Sequence, residues 1–132
     1  MESRHRFVEH VGEVELELEA ADRAGIFESA LAAFAQLVAN GGGESARHDV
    51  ELTADDDALL LVDWLGELVY LAETDGFLPE RVEALELSDR RLRASVAGRR
   101  GEPRHLVKAV TLNNLELEEE GGAWHGRVVL DV

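Results

Sequence analysis

At 132 residues, 45% of them apolar, the chain has the size of one domain and the material for one core. It contains no cysteine, which excludes a disulfide framework and a thiolate metal site. Its formal net charge is −15 and its only lysine is Lys108, so the clustered cations that direct phosphate contact requires are missing and nucleic-acid binding is not expected.

In chain order, Glu13 to Glu19 alternates glutamate with Val14, Leu16 and Leu18, the period of a half-buried strand with its carboxylates outward. Asp22 is placed to cap a helix in which Ile26, Phe27, Ala30, Leu31, Phe34, Leu37 and Val38 recur at helical spacing. Asn40-Gly41-Gly42-Gly43 stops it. Arg47 to Thr53 alternates again, with Val50 and Leu52 inward. Asp55-Asp56-Asp57 supplies an acidic helix start. The second helix then runs to Thr74, with Leu61, Trp64, Leu65, Leu68 and Leu71 on one face and Gly76 free to take the positive φ of a C-terminal cap. Val82–Leu87 and Leu92–Val96 flank Ser88-Asp89-Arg90 and predict a hairpin. A loop follows over Arg99–Arg104, then a short extended run within His105–Thr111, an alternating Leu115–Glu119, a Gly121-Gly122 turn and a last strand over Trp124–Asp131. This order predicts an α+β two-layer sandwich, a mixed or mostly antiparallel sheet with two helices packed on one face, forming one domain over residues 1–132.

No apolar run approaches the roughly 20 residues of a membrane span. Met1 to Phe7 lacks the apolar region of a signal peptide. A cytoplasmic, monomeric protein is the expectation.

Candidate chemistry is sparse. His5, His10, His48, His105 and His125 show neither HxxxH nor HExxH spacing, which argues against zinc. Carboxylate oxygens are plentiful and suit Ca²⁺, Mg²⁺ or Mn²⁺. Asp55-Asp56-Asp57 lacks the spaced ligands and central glycine of an EF-hand and reads as a helix cap. There is no GxSxG, and Gly41-Gly42-Gly43 lacks the Lys-Ser/Thr of a phosphate loop. One local feature points to a site. In the last strand Trp124, Gly126, Val128 and Leu130 share one face, and His125, Arg127, Val129 and Asp131 share the other. Asp131 also lies beside the terminal carboxylate at Val132. Two negative groups that close repel unless a cation or donor lies between them; the bland alternative is a solvated terminus.

Four blocks of the chain resemble the archease family. They are His10-Val11-Gly12-Glu13-Val14 with the later Gly25-Ile26-Phe27-Glu28-Ser29-Ala30-Leu31, then Trp64-Leu65-Gly66-Glu67-Leu68 through Asp75-Gly76-Phe77-Leu78, then Val107-Lys108-Ala109-Val110-Thr111, and finally Gly122-Ala123-Trp124 through Leu130-Asp131-Val132. The resemblance implies an accessory protein rather than an enzyme. Such a protein promotes guanylylation and turnover of an RtcB-type RNA ligase in tRNA splicing and RNA repair. It also implies a divalent-cation site on Glu13, Asp131 and a backbone oxygen of Val132, with Ca²⁺ expected in the isolated protein and Mg²⁺ or Mn²⁺ as alternatives. His10 would stand behind Glu13 as a donor, and Lys108 would fix the strand register or reach the site. Glu13 replaces the family's Asp, Val11-Gly12 replaces Thr-Ala, and Leu112-Asn113-Asn114 stands where the family often carries a histidine. These departures suggest a divergent bacterial member.

Two other functions remain open from the sequence. One is a metal-free protein-binding or chaperone-like module of the same fold. The other is a small enzyme, which would need a concave pocket holding at least two of His10, Glu13, His125 and Asp131.

Overall fold

A computed structural model describes residues 3–132. Seven strands and two helices follow in the order β1 (Arg4–His10), β2 (Glu13–Ala20), α1 (Arg23–Val38), β3 (Ser45–Thr53), α2 (Asp57–Asp75), β4 (Phe77–Ser88), β5 (Arg91–Arg100), β6 (Ala109–Glu120) and β7 (Ala123–Asp131). The α+β class and the antiparallel pairing are as expected. The strands, however, divide into a four-stranded sheet of order β1-β2-β7-β6 and a three-stranded sheet of order β3-β5-β4.

Each helix contacts strands of both sheets. That arrangement accounts for the residues buried along α1, among them Ile26, Phe27, Ala30, Leu31, Ala33, Phe34 and Val38, which cover more than a single stripe. Asp22 caps α1 as expected, its carboxylate accepting from the Gly25 N–H at 2.8 Å. Asp56, the middle of the acidic triplet, caps α2 by accepting from the Leu59 N–H at 2.8 Å. Gly76 ends α2 at φ 64, in the left-handed region. The two helices are joined where the Trp64 indole N–H donates to the Phe27 carbonyl at 2.9 Å, which satisfies the one polar atom of a fully buried ring. Ser29, the only buried polar side chain among the described residues, donates to the Arg4 carbonyl at 2.8 Å and ties α1 to β1.

In the four-stranded sheet, Val14, Leu16, Leu18, Ala20, Val128 and Leu130 are buried. Alternation therefore turns Glu13, Glu15, Glu17 and Glu19 to the opposite face. β1 is an addition to the sequence reading. So is the unity of β6, whose two halves were expected separately. Between Thr111↔Val129 and Glu116↔Arg127 the pairing skips, with five steps along β6 against two along β7. Asn114 takes φ 58 in that bulge. The Arg127 guanidinium holds the bulge in place, donating to the Asn114 carbonyl at 3.0 Å and to Glu116 at 2.6 Å.

Candidate cation site at the end of the four-stranded sheet

Three strands converge on Asp131. β2 lies on one side of β7, and Glu13 is the register partner of Asp131. Residues directly opposite in antiparallel strands have Cα atoms about 4.5 to 5.5 Å apart, and their side chains leave the sheet on the same face. β6 lies on the other side, where Ala109 pairs with Asp131. The Lys108 N–H donates to the Asp131 carbonyl at 2.8 Å, and the Val132 N–H donates to the Gly12 carbonyl at 3.1 Å. The chain's last residues are thus bonded to two neighbouring segments. Gly12 sits at φ 73 in the turn between β1 and β2, a conformation glycine adopts without a Cβ penalty. That turn makes His10 the register partner of Glu13.

Glu13 and Asp131 are half-buried, and among the described residues neither takes part in an ion pair. Glu15, the next residue outward on β2, faces only Val8 and Val129 across the strands. The site is therefore a concentration of carboxylate with His10 as its one neighbouring titratable base on the paired strands. Its donor chemistry is hard oxygen, which suits Ca²⁺, Mg²⁺ or Mn²⁺ over softer ions. Among the described residues there is no group of three or more His, Cys, Asp or Glu side chains arranged to hold a metal. A cation on Glu13 and Asp131 would take its remaining ligands from backbone oxygens such as that of Val132, from water or from another molecule. The sequence-predicted residues Glu13, Asp131, Val132, His10 and Lys108 are all brought to this one end. For Lys108 the contact is made by its backbone, and its exposed side chain forms no ion pair among the described residues.

The other end of the same face differs. Arg4 pairs with Glu19 at 3.1 Å, Arg6 with Glu17 at 2.5 Å and Arg127 with Glu116 at 2.6 Å. These three cross-strand pairs form a ladder around a depression of about 650 Å³ that also holds His5 and His125. Sequence reasoning missed the ladder because it missed β1, which supplies Arg4 and Arg6. Glu118 adds an acid beyond the ladder, and its carboxyl is pushed up by its hydrogen bond to Glu116 and by that residue's charge. Of the four residues from which a small enzyme would need at least two in one pocket, only His125 lines this depression; His10, Glu13 and Asp131 lie at the far end of the sheet.

A further cluster lies outside this sheet. Asp75, at the end of α2, accepts from Arg100 and His48, each at 2.8 Å. These hydrogen bonds, Arg100's first, hold its carboxyl below the usual range.

Comparison with known proteins gives a consistent picture. The sequence model of the Archease protein family matches residues 5–132. The protein archease of Methanosarcina acetivorans is 34% identical over 141 residues, covering 98% of this chain and 96% of that protein. The protein archease of Methanothermobacter thermautotrophicus is 30% identical, covering 84% of this chain and 86% of that one. The solution structure of Methanobacterium thermoautotrophicum protein 1598 superposes with a TM-score of 0.75 at 28% identity, over 97% of this chain and 98% of its own. The crystal structure of an archease from Thermotoga maritima, described as a possible chaperone, has a TM-score of 0.72 over 95% of this chain and 94% of its own. At 17% identity it supports the fold alone. No helix among the described residues is long and apolar enough to cross a membrane.

Proposed function

We propose a function from one premise: this chain belongs to the archease family. It acts as a cytoplasmic, monomeric accessory protein that activates an RNA ligase of the RtcB type in tRNA splicing and RNA repair. It promotes guanylylation of the ligase and its repeated turnover, and it does not itself catalyse the joining. The observation that carries this reading is the juxtaposition of Glu13 and Asp131, cross-strand partners of which neither forms an ion pair among the described residues.

Glu13, Asp131 and the Val132 backbone oxygen would hold a divalent cation, which when bound supplies the charge neutralisation that phosphoryl transfer needs. The chain's own part is positional. β2 and β7 fix the separation of the two carboxylates, and the bonds from Val132 to Gly12 and from Lys108 to Asp131 hold the final residues against them. Glu13 reaches one methylene further than aspartate would. The adaptable coordination of Ca²⁺ tolerates that reach better than octahedral Mg²⁺ does, so Ca²⁺ is the expected occupant of the isolated protein. The net charge of −15 keeps the protein off RNA while drawing it to the basic surface of an RNA-binding enzyme. The test is guanylylation and multiple-turnover ligation by an RtcB-type ligase with and without this protein. Faster guanylylation and repeated turnover are expected, and superimposable progress curves overturn the reading.

A second reading is a metal-free protein-binding or chaperone-like module. The small number of clustered side-chain ligands among the described residues favours it. It requires a partner in a pull-down together with no saturable uptake of Ca²⁺, Mg²⁺ or Mn²⁺ in calorimetry.

A further inference from the structure

We infer that the sheet end carrying Glu13 and Asp131 is a protein-docking surface on which Val11, Leu106 and Leu112 form an apolar contact ring for a basic partner face. Identifying that partner as an RtcB-type ligase rests on the function proposed above.

Four large apolar side chains are exposed among the described residues: Val11 at 102%, Leu112 at 63%, Tyr70 at 58% and Leu106 at 56%. Single exposed apolar residues need no explanation. The grouping of three of these does. Val11 precedes Gly12, whose carbonyl receives the Val132 N–H. Leu106 lies two residues before Lys108, whose N–H is bonded to Asp131. Leu112 lies three residues beyond Ala109, the register partner of Asp131, at the point where β6 leaves its pairing with β7. Val11 therefore flanks the carboxylates from the β1–β2 turn, and Leu106 and Leu112 flank them from the β6 side. In protein interfaces, side chains around the few contacts that carry the binding energy exclude water from them, and Val11, Leu106 and Leu112 are placed to do this here.

Charge selects the occupant. Nucleic acid and anionic lipid are repelled by a chain of net charge −15. A second copy docking through the same face would set Glu13 and Asp131 against their own equivalents, because a two-fold interface repeats one patch on both sides. A basic protein surface complements the chain's net charge of −15 and supplies apolar area to meet the ring.

The test replaces all three side chains with a neutral one, Val11→Ser/Leu106→Ser/Leu112→Ser, so that charge is unchanged. Affinity for an RtcB-type ligase is measured across a salt series, beside His125→Glu as a control at the ladder end of the same sheet. The triple variant is expected to bind at least about tenfold more weakly with the wild-type salt dependence and wild-type Ca²⁺ uptake, while the control stays within about twofold. If the triple variant loses its melting transition, Val11→Ser alone, in a turn residue with no burial to lose, is expected to weaken binding about threefold. Wild-type affinity in a folded triple variant, with ligase activation intact, overturns the docking ring and leaves the proposed function standing. A wild-type protein that neither binds nor activates the ligase overturns both.

Discussion

The two ends of the open face of the four-stranded sheet are built from the same strands and carry opposite electrostatic solutions. At one end Arg4, Arg6 and Arg127 each meet a glutamate on the adjacent strand. At the other, six residues along β2 and roughly 20 Å away at the rise of a strand, Glu13 meets Asp131, and among the described residues neither has an ion-pair partner. Cross-strand pairs of opposite charge stabilise a sheet, and like charges placed directly opposite destabilise it. A protein with 13 Lys and Arg against 28 Asp and Glu must leave some carboxylates unmatched. It spends three arginines on the ladder and none on the other end. Folding alone favours the ladder, so the carboxylate end is where a bound cation or partner would supply what the chain omits.

The largest expected effect separates the two ends by function. Asp131→Ala or Glu13→Ala should lower multiple-turnover ligation by at least about tenfold, the cost of losing even an outer-shell partner of a metal ligand, with circular dichroism and melting temperature near wild type. Arg6→Ala should leave turnover within about twofold. Equal losses from both ends would erase the distinction.

Stability should separate the ends next, and with the reverse ranking. Arg127→Ala removes both bonds that hold the β6 bulge and should cost about 1 to 2 kcal/mol in denaturant unfolding. Arg6→Ala removes an exposed pair and should cost under about 1 kcal/mol.

A smaller effect differs in sign. Glu13→Gln, measured without divalent ions, should leave stability unchanged or raise it by a few tenths of a kcal/mol, about the size of one like-charge cross-strand contact. With Ca²⁺ present, the wild type should gain melting temperature and the variant should not.

The smallest effect concerns Glu118. Its carboxyl is raised in the folded protein, so its contribution favours folding below its unfolded value near pH 4 and is lost as pH rises through the folded value. Glu118→Gln should therefore flatten a slight decline in melting temperature above that range. Asp75 has the opposite sign: its carboxyl is depressed, so its contribution is present above the unfolded value and disappears as acid passes the folded one.

How much of this was legible in the sequence depends on whether a local pattern carried it. α1 and α2 announce themselves by apolar spacing and by Asp22 and Gly76, because capping is a local hydrogen-bond requirement. β2 does so through strict Glu-to-apolar alternation. β1 does not: Phe7 and Val8 are adjacent, and an edge strand pairs on one side only, so its pattern is blurred. The ladder was lost with it. The bulge at Leu112–Leu115 broke β6 into two apparent runs, since alternation is interrupted wherever pairing is. The division into two sheets follows from helices that bury residues beyond a single stripe, a pattern that a single-sheet reading does not use. At the candidate site, alternation placed Glu13 and Asp131 on solvent-facing sides of their strands. That they are direct partners is a matter of register, set by the Gly12 turn and the last residues' bonds to Gly12 and Lys108, and no periodicity encodes it.

Calorimetric titration of Ca²⁺ into the wild type and into Glu13→Gln/Asp131→Asn tests the account most directly. A saturable single-site isotherm in the wild type, absent from a folded double variant, is the predicted result. An isotherm of the same affinity in both proteins, or no saturable uptake by the wild type, contradicts it.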